Sequence, residues 1–374
     1  MIVMLIAFSG CIKLYEPDYQ PDDRYRIVVE GVVNSVEGLQ TISLHYTSPL
    51  NKPVDSPVTG CDVWLYGDGG KIFTFSETGG GDYRLYMNQA DLAVGASFKL
   101  MIRTPDNDTI ESSVETIHPP VPITNIYFET RTIPTKDPLD PREGIQFFID
   151  LDAQGSEAEY FKWDLVETWE KHAPRPIVWW YDGVLHKEVP PDYSKMLCWQ
   201  TEPIPEIFTL TTKNLSAPVY KKLPLHFVDT RSQRLSYLYS LLINQYSISA
   251  STFDYWDKMK NNLNQKDGLY TKQPISVVGN LTNITHPDKV VLGNFSVAGV
   301  SQKRIFVSDV PGIDANFEPC KSSGLRFGLW DVSPFDYPAY LDGNDQTYFN
   351  SQLSPGCVDC TRNGGTTIKP TFWP

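Results

Sequence analysis

The sequence is poor in charged residues, and poorest in basic ones. Charged residues make up 21% of the 374 residues, and 45 acidic against 32 basic side chains give a formal net charge of −13. Binding to a nucleic-acid backbone requires clustered lysine and arginine. We therefore expect no nucleic-acid partner.

Recognisable catalytic patterns are also missing. None of the six histidines stands at the spacing of a helical zinc site, no glycine-rich loop resembles a phosphate-binding loop, and no serine occupies a Gly-x-Ser-x-Gly elbow. Asp150-Leu151-Asp152 and Asp342-Gly343-Asn344-Asp345 offer oxygen ligands for calcium but match no complete calcium loop. We predict no enzymatic activity, cofactor or metal, although the scattered carboxylates neither support nor exclude a glycosidase pair.

Proline, glycine and aromatic residues are abundant instead. The chain holds 29 prolines and 25 glycines, and aromatic residues account for 13% of it. Short strands separated by Pro/Gly turns are typical of β-rich proteins. Residues 25–118 predict about seven such strands and hence a β-sandwich of immunoglobulin or transthyretin type. A proline-rich linker at 119–122 then opens a larger β-rich domain over residues 119–374.

One amphipathic helix is predicted within this second domain, near residues 251–264. Ser251 is a suitable N-cap, and Phe253, Trp256 and Leu263 recur at helical spacing. We expect this helix to pack against the second sheet. The alternative is that its aromatic face docks a partner.

The N-terminus resembles a bacterial lipoprotein leader. An apolar run is followed by the small residues Ser9-Gly10 and then by Cys11. Such a leader is removed before the cysteine, which is then acylated. We predict a signal peptide over residues 1–10, a lipid on Cys11 that attaches the protein to a membrane, and a tether over residues 11–24. The alternative is a frayed apolar N-terminus with an unmodified cysteine.

Five further cysteines remain after Cys11. They are Cys61, Cys198, Cys320, Cys357 and Cys360. An odd number in an exported chain leaves one unpaired, and Cys61, next to a strand-like run, is expected to be a free, buried residue. The other four predict two disulfides, for which three pairings are possible.

A cluster of aromatic residues precedes a predicted hairpin turn at Asp182-Gly183. Trp179, Trp180 and Tyr181 are consecutive, and because consecutive strand residues face opposite sides, one tryptophan can be buried while the other is exposed. Exposed aromatic rings stack on sugars or anchor protein interfaces. The alternative is that both tryptophans are buried between layers.

Several short motifs follow one another along the whole chain. They are Val28-Val29-Glu30-Gly31, Tyr239-Ser240-Leu241-Leu242, Gln273-Pro274, Gly279-Asn280, Arg304-Ile305-Phe306, Cys357, Cys360 and Phe372-Trp373. Their order resembles the domain-of-unknown-function family 4249 of Bacteroidota. The resemblance implies a cell-envelope lipoprotein, commonly encoded near TonB-dependent outer-membrane transporters, with no established activity or binding residues. Asp108-Thr109-Ile110 also resembles the short O-glycosylation site of that phylum, so Thr109 is a candidate for modification.

These features together predict a lipid-anchored outer-membrane accessory or binding protein. It would work with a TonB-dependent transporter or in envelope assembly. The alternative is a surface lipoprotein that binds glycans or adheres through Trp179, Trp180 and Tyr181. The sequence leaves open whether the protein faces the periplasm or the cell surface.

Overall fold

The protein is mainly β, as its sequence predicts. In the computed structural model, the described residues are 26–48, 53–135, 137, 139–264, 277–313, 320–343 and 349–374. They form two β-sandwiches and a smaller C-terminal sheet, built around separate apolar cores. The predicted signal peptide, Cys11 and the tether lie outside the described residues.

The first sandwich is formed mainly by the N-terminal strands. These are β1 (Ile27–Asn34), β2 (Gly38–Tyr46), β3 (Asp62–Gly67), β4 (Ile72–Thr74), β5 (Ser76–Gly79), β6 (Asp82–Met87), β7 (Ser97–Arg103), β8 (Thr109–Ser112) and β9 (Glu115–Thr116). One sheet holds β1, β2, β5 and β6, and the other holds β3, β4, β7, β8 and β9. In β7, alternate residues Phe98, Leu100 and Ile102 are buried, which is the period-two pattern of a strand with one face in a core.

Two strands from far along the chain complete this sandwich. β18 (Leu281–Asn283) pairs with β8, and β19 (Leu292–Val307) pairs in parallel with β1 through residues 292–298. Phe295 of β19 is fully buried in the shared core. The predicted domain 25–118 therefore contains only part of the sandwich, because parallel pairing between distant strands leaves no turn signal in the sequence.

The second sandwich encloses the larger apolar core. Its strands are β10 (Asn125–Ile133), β11 (Arg142–Asp152), β12 (Tyr160–His172), β15 (Leu197–Thr211), β16 (Val219–Asp229) and β17 (Tyr239–Ser247), together with the second half of β19. The sheet β10-β11-β16 packs on the strands β15-β12-β17-β19 around Phe147, Trp163 and Tyr239. These four strands and β1, β2, β6 and β5 of the first sandwich form one continuous eight-stranded sheet. Gly299 marks the point where β19 passes between the sandwiches. A Cβ at position 299 would lie only 2.0 Å from the carbonyl oxygen of His118. Any residue other than glycine would therefore collide with the backbone of the linker between the two sandwiches.

Helix α1 (Ala250–Asn264) follows β17 directly, close to the predicted position. The predicted N-cap at Ser251 is wrong. The Oγ of Ser249 accepts a hydrogen bond from the backbone N–H of Thr252 at 3.2 Å, so Ser249 caps the helix. Ser251 instead donates a hydrogen bond to Glu115.

The buried face of the helix also differs from the prediction. Thr252 and Tyr255 are buried, whereas Leu263 is exposed. Trp256 covers a lysine of β12, with the Nζ of Lys162 lying 4.4 Å from the ring centroid. The helix thus packs on the second sandwich partly through a cation–π contact, which hydrophobic spacing alone does not reveal. Among the described residues, no helix is long and apolar enough to cross a membrane.

A third unit, which we call the C-terminal subdomain, is joined to the second sandwich by a disulfide. Its strands are β13 (Ile177–Tyr181), β14 (Leu185–Asp192), β20 (Ser322–Gly324), β21 (Ala339–Leu341) and β22 (Ser351–Leu353). They form one sheet in the order β14-β13-β21-β22-β20. Its disulfides are Cys198–Cys360, which reaches β15, and Cys320–Cys357, while Cys61 is free. Because its apolar clusters are small, these covalent links supply stability that burial alone would not.

Asp229, at the end of β16, connects this strand to β11. Its carboxylate accepts hydrogen bonds from the Nε of Arg142 at 2.7 Å and from the Nη2 of Arg231 at 3.0 Å. Burial alone would raise the pKa of Asp229, but the hydrogen bonds from Arg231 and Arg142 outweigh burial and lower this pKa to about 2. The interaction therefore stabilises the ionised form of the carboxyl group.

Replacing Asp229 with asparagine is expected to lower the free energy of unfolding at neutral pH by about 2 kcal/mol. The folded-state pKa lies below the unfolded value of about 4. The stabilisation is therefore complete at neutral pH and is lost as the pH falls toward about 2. Urea denaturation at a series of acidic pH values measures this. The wild type should lose stability more steeply than Asp229→Asn, and parallel pH profiles would contradict the assignment.

Candidate functional site

The aromatic residues predicted as a recognition surface lie on β13, between β14 and β21 in the sheet of the C-terminal subdomain. The ring of Trp179 meets Phe349 edge to face at a centroid distance of 5.3 Å. The ring of Trp180 stacks on His186 at 3.8 Å. Tyr181 meets Tyr337 edge to face at 5.4 Å. All three residues are half-buried, so the structure does not divide the two tryptophans into one core ring and one exposed ring.

A different set of aromatic residues is exposed, on the connection between β20 and β21. Trp330 is 94% exposed, Phe335 is 99% exposed and Phe327 is 63% exposed. We call Phe327, Trp330 and Phe335 the aromatic surface. Large aromatic rings are usually at least partly covered in a monomer, so this unusual exposure makes the aromatic surface the candidate functional site.

Local turn geometry holds the aromatic surface outward. Residues 328–331 and 334–336 form short 3-10 turns, and between them Val332 is buried in the subdomain core. The carboxylate of Asp331 accepts the backbone N–H of Phe327 at 2.6 Å. The Oγ of Ser333 accepts the backbone N–H of Phe335 at 3.3 Å. The buried Val332 and the side-chain hydrogen bonds of Asp331 and Ser333 therefore fix the backbone of this connection. The three aromatic side chains of the surface are left exposed to solvent.

The hairpin between β13 and β14 borders the aromatic surface. A Cβ placed on Gly183 would lie 3.9 Å from the ring of Tyr337, which follows Phe335 by two residues. Val184, next to this glycine, is itself 64% exposed. The apolar character of the surface thus continues onto the hairpin tip. Its charged neighbours include Asp182 of the hairpin, which lies 3.0 Å from the Nε2 of His186.

A buried carboxylate anchors the base of the subdomain. Asp359 accepts a hydrogen bond from the hydroxyl of Tyr340 at 2.7 Å and pairs with the Nζ of Lys195 at 3.1 Å. Burial would raise the pKa of Asp359, but hydrogen bonds from Thr361, Tyr340 and Lys195 lower it overall. The two cysteines that flank this residue in the Cys-x-x-Cys motif belong to different disulfides. The motif therefore fastens two parts of the chain and is not paired within itself.

Comparison with known families identifies the chain. A family model described as "Domain of unknown function (DUF4249)" matches residues 12–304. The chain belongs to this family. No curated protein matches it. The family resemblance stated from the sequence is thus confirmed, although the C-terminal motifs quoted for it lie beyond the matched residues.

The DUF4249 match covers nearly all of both sandwiches, but it leaves out most of the C-terminal subdomain. It ends at residue 304, within β19, whereas β20, β21, β22 and the aromatic surface follow that position. Of the four disulfide cysteines, Cys198 alone lies inside the matched range. The family description therefore assigns nothing to the aromatic surface.

The second sandwich of this DUF4249 member also contains a buried ionic network that the sequence did not reveal. Glu167 on β12 is only 3% exposed. Its carboxylate lies 3.0 Å from the Nε of Arg234, accepts the hydroxyl of Tyr239 at 3.0 Å, and lies 3.8 Å from the Nε2 of His226. Burial raises the pKa of Glu167, and the neighbouring Arg234 and His226 only partly offset this. The network connects β12, β16 and β17 across the two sheets.

Thr109, the predicted modification site, lies at the start of β8. Its backbone N–H donates to the Oγ1 of Thr285 at 3.0 Å, and its neighbour Asp108 is buried and paired with Lys289. O-glycosylation of Thr109 stays a prediction. Within the described part of the chain, no three His, Cys, Asp or Glu side chains are grouped so as to hold a metal ion.

Proposed function

We propose that this protein is a non-enzymatic, lipid-anchored component of the outer membrane that binds a protein partner through the aromatic surface. The observation that carries the proposal is the exposure of Trp330 and Phe335 on a subdomain held by disulfides. Tryptophan and other aromatic anchors dominate the energetics of protein interfaces. A rigid display of such anchors costs little conformational entropy on binding.

The charges around the aromatic surface favour a protein over an anionic lipid bilayer as its occupant. The connection that bears the exposed rings holds two acidic residues, Asp331 and Asp336, against one basic residue, Arg326, whose guanidinium lies 5.2 Å from the ring centroid of Phe327. The whole chain carries a net charge of −13. Surfaces that bind anionic membranes present clustered lysine and arginine next to their apolar residues. An aromatic patch with acidic residues beside it is better matched to a protein partner.

Stacking on sugars by the β13 aromatics is less well supported. One face of the Trp180 ring is covered by His186, and its Nε1 donates to Glu188 at 2.8 Å. The ring of Trp179 contacts the ring of Phe349, and the Nζ of Lys187 lies 4.9 Å from the Trp179 ring centroid. These rings already have partners within the subdomain, so they are better explained as the packing that supports the aromatic surface.

The nature of the partner follows from the predicted anchor. The lipid predicted on Cys11 would place the protein on the outer membrane, where an integral membrane protein such as a TonB-dependent transporter is the natural neighbour. The resemblance to the Bacteroidota family supports this choice of partner.

Removing the two most exposed rings is expected to abolish partner binding without unfolding the protein. Affinity purification from detergent-solubilised envelopes should recover an integral outer-membrane protein with the wild type. With Trp330→Ala combined with Phe335→Ala, its recovery should fall at least about tenfold. The thermal midpoint should change little, because both side chains are almost fully exposed.

Tyr86→Ala is the matched control, since Tyr86 is an exposed aromatic residue on the first sandwich. It should retain the partner at the wild-type level, and the partner used as bait should recover the wild-type chain in turn. Equal recovery with the double variant and the control would contradict the proposed function.

A further inference from the structure

Strand β10 forms one edge of the three-stranded sheet in the second sandwich, and among the described strands it pairs with β11 alone. It is nine residues long, and Thr130, Arg131 and Thr132 in its second half are exposed. The outer side of an edge strand presents backbone N–H and C=O groups without ladder partners. Such an edge is therefore a template for pairing with a strand of another chain.

The other edge strands of comparable length are protected against such pairing. β14, β15 and β16, with 8, 15 and 11 residues, each contain proline, which removes a backbone donor from the edge. The remaining edge strands, β4, β5, β18 and β20, are only three or four residues long. Among the strands that the structure describes, β10 is therefore the one long edge that lacks both forms of protection.

Two opposite charges stand two residues apart on β10, and hence on the same face of the strand. The Oε1 of Glu129 accepts a hydrogen bond from the Nζ of Lys222 at 2.7 Å, and both side chains are about half exposed. The guanidinium of Arg131 lies 5.6 Å from the ring centroid of Phe148, and it forms no ion pair with any described residue. Arg131 is thus a cation without a carboxylate partner, and Glu129 keeps a second carboxylate oxygen for another donor.

The charges on β10 are complementary to those of a second β10 in one antiparallel register. When Thr130 pairs with the second copy's Thr130, Glu129 lies opposite the second copy's Arg131, and Arg131 lies opposite the second copy's Glu129. Sliding the strands by two residues in either direction places Glu129 opposite Glu129 or Arg131 opposite Arg131. Sliding by one residue places inward side chains opposite outward ones. Because like charges directly across a ladder are unfavourable, the register centred on Thr130 is the favoured one.

We propose that two copies of this chain pair edge to edge through β10, antiparallel and about a twofold axis at Thr130. The pairing joins two three-stranded sheets into one sheet of six strands. The interface is isologous, so each copy supplies both the Glu129 carboxylate and the Arg131 guanidinium. Failure of this proposal leaves the aromatic surface untouched, because the two surfaces share no residue.

Exchanging the charges tests the register on the full mature chain. Sedimentation equilibrium should show the wild type in a monomer–dimer equilibrium. Glu129→Arg and Arg131→Glu should each weaken the dimer at least about tenfold, because each variant brings like charges together at two places in the ladder. Combining both substitutions in one chain should restore the dimer, and so should mixing the two single variants, because both arrangements again oppose unlike charges.

Asp254→Arg is the matched control for these variants. It makes the same change of charge at an exposed position of helix α1, which packs on the other sheet of the second sandwich. It should dimerise like the wild type. Restoration by the double variant shows that the single variants fail through charge and not through unfolding. A wild type that stays monomeric at every concentration, or equal dimer affinity of the single variants and the control, would overturn the proposal.

Engineered cysteines locate the twofold axis, in a Cys61→Ser background that removes the free thiol. Thr130→Cys should give a disulfide-linked dimer on mild oxidation, because the Cα atoms of directly opposed residues are about 5 Å apart. Thr132→Cys is the matched control, an exposed position of the same strand. Its two copies would be about 14 Å apart and should not crosslink. Equal crosslinking at both positions, or crosslinking at position 132 alone, would contradict the register.

Discussion

Replacing Arg234 with methionine is expected to lower the free energy of unfolding by about 3 kcal/mol. The substitution leaves the carboxylate of Glu167, only 3% exposed, without the guanidinium 3.0 Å away. Burying an uncompensated charge costs far more than losing a surface ion pair. Equilibrium denaturation in urea at neutral pH measures the difference.

Two further variants separate this cost from a general effect of losing an arginine. Arg84→Met removes an exposed partner of Asp82, 3.3 Å away, and should cost less than about 1 kcal/mol. Adding Glu167→Gln to Arg234→Met should restore part of the lost stability, because the amide needs no counter-charge. Equal losses for Arg234→Met and Arg84→Met would show that the network contributes no more than a surface pair.

Removing the disulfide between Cys198 and Cys360 is expected to have the largest effect on the C-terminal subdomain. The two cysteines are 162 residues apart, and the chain-entropy model gives about 5 kcal/mol for a loop of this length. The Cys320–Cys357 bond closes a loop of 37 residues and gives about 4 kcal/mol. Both bonds hold elements with small apolar cores of their own.

Hydrogen exchange should show where this stability is lost. In Cys198→Ala combined with Cys360→Ala, amides of β13, β21 and β22 are expected to lose protection, while those of β1 and β17 keep it. The reason is that each sandwich has its own core, which the disulfide does not enter. Uniform loss of protection over the whole chain would contradict the division into three units.

The general architecture could be predicted from local patterns in the sequence. Alternation in segments such as Ser97–Arg103 reflects one buried face, and the structure confirms the strand there. Helical spacing after residue 250 predicted the single α-helix of the described residues. The free Cys61 and the four disulfide cysteines were also separated correctly, because an odd number of cysteines leaves one unpaired. The expected burial of Cys61 was wrong, since its side chain is only half-buried.

Features that depend on distant pairing could not be predicted. β1 and the first half of β19 pair in parallel although most of the chain separates them in sequence, and no turn residue indicates that contact.

The residue that caps the helix could not be predicted either. Ser249 and Ser251 are both suitable N-cap residues by type, and only the backbone geometry decides between them.

The aromatic surface escaped detection for a related reason. A tryptophan in a turn-rich tail looks like a core residue, because large aromatic side chains are usually buried. The consecutive aromatics of β13 drew attention instead, although the structure covers their rings with His186, Phe349 and Tyr337. The exposure of Trp330 arises from neighbouring 3-10 turns whose inward residues fill the subdomain core, and sequence periodicity has no signal for such turns.

Photo-crosslinking in intact cells tests the central claim most directly. A photoreactive phenylalanine analogue would replace Trp330 in one strain and Tyr86, which is exposed on the first sandwich, in another. The proposed function predicts an adduct with one integral outer-membrane protein from position 330 and none from position 86. Adducts of equal yield from both positions, or adducts only with lipid from position 330, would contradict it.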